Sequence, residues 1–118
     1  MPLVHIQEES EALRQCRKLA NNGLYTVYAD ASCRNGLASI GVVQQSGQRS
    51  TLLQEASIGR QSTCSVLATE LTAIRQALKL GEGSSFFTDS TKALAAIQAG
   101  NKAKSGRAIL RDISLLLR

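Results

Sequence analysis

The sequence predicts an α/β domain with a mixed sheet: three antiparallel strands in succession, a long helix, a fourth strand parallel to the first and two further helices, all preceded by an N-terminal helix. Three observations carry this. Runs of β-branched, aromatic and aliphatic residues recur at 24–30, 38–44 and 50–56 with brief polar, Gly-bearing connections, the pattern of an antiparallel meander. Leu67, Leu71, Ile74 and Leu78 recur at i, i+4, i+7 and i+11, the strongest helical period in the chain. A short apolar run, Ser85 to Asp89, follows that helix, and a helical crossover within one sheet makes the strands it connects parallel.

Glu8 to Ala20 reads as the first helix, with acids in its opening turn and bases in its last, a polarity that suits the helix dipole; Asn21-Asn22-Gly23 supplies the stop. Leu24 to Asp30 is the first strand. Ser32 to Gly36 reads as a polar loop, Ala38 to Gln44 as the second strand, Ser46-Gly47-Gln48 as a turn and Ser50 to Ala56 as the third strand. Ser65 can cap the helix that runs to about Leu80, and Gly81-Glu82-Gly83-Ser84 breaks it. After the strand at 85–89, Ser90 or Thr91 caps a helix that Gly100-Asn101 ends, Asn101 to Gly106 is a basic linker, and Arg107 to Leu117 is an amphipathic helix.

At 118 residues the chain fits one domain, and with 43% hydrophobic residues it is neither disordered nor collagen-like. No run approaches the roughly 18 apolar residues of a membrane span. The opening residues carry neither the basic nor the apolar stretch of a secretory leader. Cys16, Cys33 and Cys64 are far apart, odd in number and free of C-x-x-C spacing, and His5 stands alone, so zinc has little support. Free thiols in a reducing compartment, cytoplasm or nucleus, are the expectation. The net charge of +5 is uneven: residues 1–60 hold six bases and five acids, residues 61–118 eight bases and four acids. That excess suits a polyanionic partner such as nucleic acid, or equally a solvated basic helix face.

Asp30 ends the first predicted strand and Asp89 the fourth, and neighbouring parallel strands are about 4.8 Å apart, so both side chains reach a shared cation. Glu70 stands three residues after Leu67 and four before Ile74, at the margin of the buried stripe, where an acid without a partner is costly. Taken singly, each acid reads as a loop, surface or helix-dipole residue. Converging acids repel, and a hard divalent cation, Mg²⁺ or Mn²⁺, resolves the repulsion and can serve phosphodiester hydrolysis.

Tyr28-Ala29-Asp30-Ala31-Ser32, Ala68-Thr69-Glu70-Leu71-Thr72-Ala73-Ile74 and Phe87-Thr88-Asp89-Ser90-Thr91-Lys92-Ala93-Leu94 together resemble the ordered motifs of the ribonuclease H family. The residues around Glu70 and the run 101–110 are most similar to the ribonuclease H domains of fungal non-LTR retrotransposon reverse transcriptase polyproteins. The resemblance implies a ribonuclease H-like sheet of order 3-2-1-4-5 and Mg²⁺- or Mn²⁺-dependent hydrolysis of the RNA strand of RNA/DNA hybrids. By the same resemblance Asp30, Glu70 and Asp89 are the catalytic metal ligands. Ser32, Arg34, Asn35 and Ser65 would touch the hybrid backbone and its ribose hydroxyls, and Lys92, Lys102, Lys104 and Arg107 would hold phosphates.

The chain departs from the family pattern after the last helix: no fifth strand, late histidine or fourth aspartate follows, and Val66-Leu67 replaces a pair of asparagines. The resulting division is a helical segment at 1–23 and a domain at 24–118 lacking the usual C-terminal strand and helix. It leaves Ser85 to Asp89 as an open edge, and self-association through that edge or the last helix is expected. Asp112 reads as a surface acid, with substitution for the fourth ligand left open. A catalytically inactive module of the same fold, binding nucleic acid or protein, is the alternative; an integrase-like pattern would place its glutamate late in the domain, where only Asp112 stands.

Overall fold

The computed structural model describes residues 3–6, 26–34, 36–46, 49–60, 66–81, 85–100 and 107–117. They form strands β1 (Leu3–Ile6), β2 (Thr26–Arg34), β3 (Leu37–Ser46), β4 (Arg49–Arg60) and β5 (Ser85–Thr88), and helices α1 (Val66–Leu80), α2 (Thr91–Ala99) and α3 (Arg107–Leu116). The sheet order is β1-β5-β2-β3-β4. β2, β3 and β4 form the expected antiparallel meander, and β5 runs parallel to β2. The helix expected over Glu8 to Ala20 lies outside the described residues.

Three expectations change. β2 does not end at Asp30 but runs to Arg34, because β2 and β3 stay paired down to Arg34 and Leu37 and leave only two residues to turn the hairpin. The second of these, Gly36, has a φ of 77°, which glycine adopts without the penalty a Cβ brings. Ser32, Cys33 and Arg34 are therefore strand residues, not loop. β5 is not an edge either: β1 pairs with it in parallel, Val4 opposite Phe86 and Ile6 opposite Thr88. Part of the segment assigned to residues 1–23 is thus a strand of the sheet, in the outer place the resemblance gives to a fifth strand. The open edge expected at 85–89, and the self-association argued from it, lose their premise. Finally, Cys33 is disulfide-bonded, against the expectation of free thiols.

Alternation along the strands sorts the core. Val27 and Ala29 of β2, Ile40 and Val42 of β3 and Phe86 of β5 lie in one cluster with Leu71, Ala73, Ile74 and Ala77 of α1, Ala93 of α2 and Leu110 and Ile113 of α3. On the other face Tyr28 stacks on Phe87, ring centres 5.5 Å apart. Gly81 closes α1 by donating its N–H to the Ala77 carbonyl at 2.8 Å, and a Cβ on it would lie 2.6 Å from Val27 Cγ2. The end of α1 is thereby seated near the amino end of β2, so the helix runs antiparallel to that strand and its start lies towards the strand's carboxyl end.

Candidate metal centre

The register of the parallel pair sets the centre. Ala29 of β2 is opposite Thr88 of β5, so the next residues, Asp30 and Asp89, emerge side by side where β5 stops. Asp30 is held by its own backbone, its Oδ1 accepting the Ala31 N–H at 2.9 Å. Asp89 lies at a tight bend: Thr88 Oγ1 accepts the Ser90 N–H at 3.2 Å, and Ser90 Oγ caps α2 by accepting the Ala93 N–H at 3.1 Å. α1 then brings Glu70 over the pair. One carboxylate oxygen from each of Asp30, Glu70 and Asp89 lies within 4.8 Å of the others.

The three acids differ in setting. Asp30 and Asp89 are exposed, whereas Glu70 is only 7% exposed, and among the described residues its Oε2 has no hydrogen-bond partner. Burial first, then the charges of Asp89 and Asp30, push the Glu70 carboxyl from 4.5 up to about 7. A buried carboxylate with an orphaned oxygen, facing two more carboxylates, fits a hard divalent cation: the donors are all oxygen and the ion's charge removes the repulsion that raises Glu70.

The other predicted residues divide. Ser32 and Arg34 alternate with Asp30 along β2, so the three share a face of the sheet, and all are exposed. The Ser32 and Ser39 hydroxyls are 2.6 Å apart. Lys92 is exposed in the first turn of α2, three residues after Asp89, and Arg107 is exposed at the start of α3. Asn35, Ser65, Lys102 and Lys104 lie outside the described residues. Asp112 does not join the centre but pairs with Arg75 of α1 at 3.2 Å. One feature the sequence did not yield is an open cavity of about 520 Å³ beside Asp30, lined by Tyr28, Ser32, Ser39, Gly41, Glu55 and Ser57. These residues come together only through the β2-β3-β4 register, in which Asp30, Gly41 and Glu55 form one cross-strand row.

Comparison with solved structures agrees with this topology. The fold is that of ribonuclease H domains. The chain superposes on the N-terminal RNase H domain of Rv2228c from Mycobacterium tuberculosis, solved as a fusion with maltose-binding protein, with a TM-score of 0.60 and 22% identity, covering 79% of this chain and 77% of that one. It superposes on LC11-RNase H1, isolated from compost, with a TM-score of 0.59 and 21% identity, covering 79% and 74%. No protein-family model matches the sequence, and no curated protein matches it. The ribonuclease H-like fold accounts for the mixed sheet and for the helix that crosses between β4 and β5.

Proposed function

We propose that this chain is a metal-dependent endonuclease of the ribonuclease H type, hydrolysing the RNA strand of RNA/DNA hybrids within a retroelement protein, in the cytoplasm or nucleus. The observation that carries the reading is the buried Glu70 carboxylate, with its orphaned oxygen, within 4.8 Å of Asp30 and Asp89. The fold likeness supports the reaction class, and the motifs around Glu70 and at 101–110 support the retroelement context.

Asp30, Glu70 and Asp89 would hold Mg²⁺ or Mn²⁺. When bound, such an ion supplies charge neutralisation at the phosphodiester and lowers the pKa of water. The chain's own residues do the rest. Glu70, buried on the packed helix α1, would hold the ion from the core side. Ser32 offers a hydroxyl to ribose, whose 2′-OH distinguishes RNA from DNA. Arg34, Lys92 and Arg107, all exposed, would hold phosphates of the hybrid, and phosphate binding by such residues is salt-sensitive and indifferent to base sequence.

The test is a labelled RNA/DNA hybrid incubated with the chain and Mn²⁺ or Mg²⁺, beside Asp89→Asn. Cleavage of the RNA strand that the variant loses upholds the proposal. Metal-independent cleavage overturns it, and hybrid binding without cleavage by a chain that takes up no Mn²⁺ moves the assignment to an inactive binding module.

A further inference from the structure

The cavity beside Asp30 is floored by cross-strand rows of β2, β3 and β4. Strand pairing sets Tyr28, Val43 and Leu52 in one row, Asp30, Gly41 and Glu55 in the next, and Ser32, Ser39 and Ser57 in the third. Successive rows are two residues apart along β2 and β3, so they share the face turned away from Val27 and Ala29. On β4 the step from Leu52 to Glu55 is three residues, which in a regular strand turns two side chains to opposite faces. A register shift between Val42 and Val43 leaves Leu53 unpaired in the ladder, and that extra residue brings Glu55 round to the face of Asp30.

The rows differ in chemistry. The first is aromatic and aliphatic, and its Leu52 is 58% exposed. The third is hydroxyl throughout. Its Ser32 and Ser39 oxygens, 2.6 Å apart, share one hydrogen, which leaves the other hydroxyl hydrogen and the remaining lone pairs for a ligand. In the middle row Asp30 and Glu55 stand two strand spacings, about 10 Å, apart with Gly41 between them. A Cβ placed on Gly41 would meet nothing within 4 Å, so the space over the middle row is open.

These features select a class of ligand. Among the described residues that line the cavity the charged ones are both acids, so its floor repels phosphate except at the Asp30 end, where a bound cation would offset the charge. A wholly apolar ligand would bury the carboxylates and hydroxyls without partners. An organic cation would use the acids but neither the hydroxyl row nor the apolar row. A nucleoside uses all three: its flat base lies on the apolar row, and its ribose hydroxyls meet the serines and a carboxylate, the acceptor that dinucleotide sites also set against a ribose 2′-OH. A volume of about 520 Å³ lies in the range of small-ligand pockets. The geometry points to a subsite for one ribonucleoside unit of an RNA strand, with Glu55 the specificity-determining residue that accepts its 2′-OH and the adjoining phosphodiester at Asp30. The identity of that strand rests on the hybrid-hydrolysis reading; the nucleoside chemistry of the cavity does not.

The experiment is an NMR titration of the isotope-labelled full-length chain, with Mg²⁺ present, by adenosine and by 2′-deoxyadenosine. The expected result is a set of amide shifts centred on Ser39, Gly41, Glu55 and Ser57, with adenosine bound about threefold to tenfold more tightly, the worth of one solvent-exposed hydrogen bond. Glu55→Ala, at an exposed position, keeps the parent spectrum elsewhere and brings the two nucleosides to equal affinity. Gly41→Val fills the open space and weakens both alike. No shifts at these residues, equal affinities in the parent, or shifts produced by spermidine and not by adenosine overturn the inference. Hybrids whose RNA strand carries a single 2′-deoxynucleotide at successive positions then locate the unit. The parent should lose about threefold to tenfold in kcat/KM at one position beside the cut, and Glu55→Ala should lose nothing further there. A parent that binds adenosine in this way and cleaves no hybrid sinks the reaction and leaves the nucleoside site. A parent that cleaves hybrid but shows no ribose preference at the cavity sinks the subsite alone.

Discussion

Replacing Glu70 by Gln keeps the size and shape of the side chain and removes its charge, and it should make the metal-free protein more stable at alkaline pH. The folded-state pKa of Glu70 is raised from 4.5 to about 7. For a group raised in this way, the stabilising contribution is complete below the unfolded value near 4.5 and is lost as pH rises through about 7. Each unit is about 1.4 kcal/mol, and after allowing for solvent at the exposed Asp30 and Asp89 the loss is about 2–3 kcal/mol between pH 4.5 and 8. Glu70→Gln escapes that loss. In EDTA its Tm should match the parent near pH 4.5 and exceed it by about 10 °C at pH 8. With Mn²⁺ the parent recovers by binding the ion and the variant does not, so the gap narrows or reverses. Parallel pH profiles for the two proteins in EDTA would refute the reasoning, since they would mean that the Glu70 carboxyl is solvated in the folded state.

Three substitutions test the elements that position the centre. Gly81→Ala puts a Cβ 2.6 Å from Val27 Cγ2 and 2.8 Å from the Ala77 carbonyl oxygen, and should cost about 1–3 kcal/mol, read as a lower urea midpoint with an unchanged slope. Ser90→Ala removes the acceptor of the Ala93 N–H and should cost about 1 kcal/mol by the same assay; no change would mean that water replaces the cap. The Arg75–Asp112 pair is part-exposed, at 26% and 47% for the two side chains, so a double-mutant cycle of Arg75→Ala and Asp112→Asn should return a coupling below about 1 kcal/mol. A larger coupling would show that α3 is held to α1 by charge rather than by Leu110 and Ile113.

What was legible in the sequence followed from periodicity and order. The 3.6 period through Leu67, Leu71, Ile74 and Leu78 placed α1 within a residue of its observed limits, and the order strand, helix, strand put Asp30, Glu70 and Asp89 on the elements that converge. What was not legible depended on pairing. A strand as short as Leu3–Ile6 has too few residues for alternation to declare itself, and only its partner β5 defines it. The Asn35-Gly36 step is a hairpin signal, but the polar residues Ser32 to Asn35 read as a longer loop, so the sequence predicts a strand ending at Asp30, four residues short of Arg34. The disulfide at Cys33 was not legible because three cysteines without a paired spacing carry no information about which of them meet in the fold.

The energetics of Glu70 separate packing from function. The buried positions of α1 that follow Glu70, namely Leu71, Ala73, Ile74 and Ala77, are apolar and nearly sealed from solvent, and each contributes to the hydrophobic core; Thr69, just before it, is buried but uncharged. Glu70 sits on the same helix with a pKa pushed up by burial and by two facing acids, so in the metal-free protein at neutral pH it opposes folding. An alanine or leucine there would remove that opposition, and stability alone gives no reason for the acid. The two aspartates share the feature: they emerge adjacent because β2 and β5 are parallel and in register, an arrangement that brings like charges together rather than apart. A cation turns each of these unfavourable terms into a favourable one at a single point, and for that reason the cluster is read as a binding site and not as a by-product of the fold.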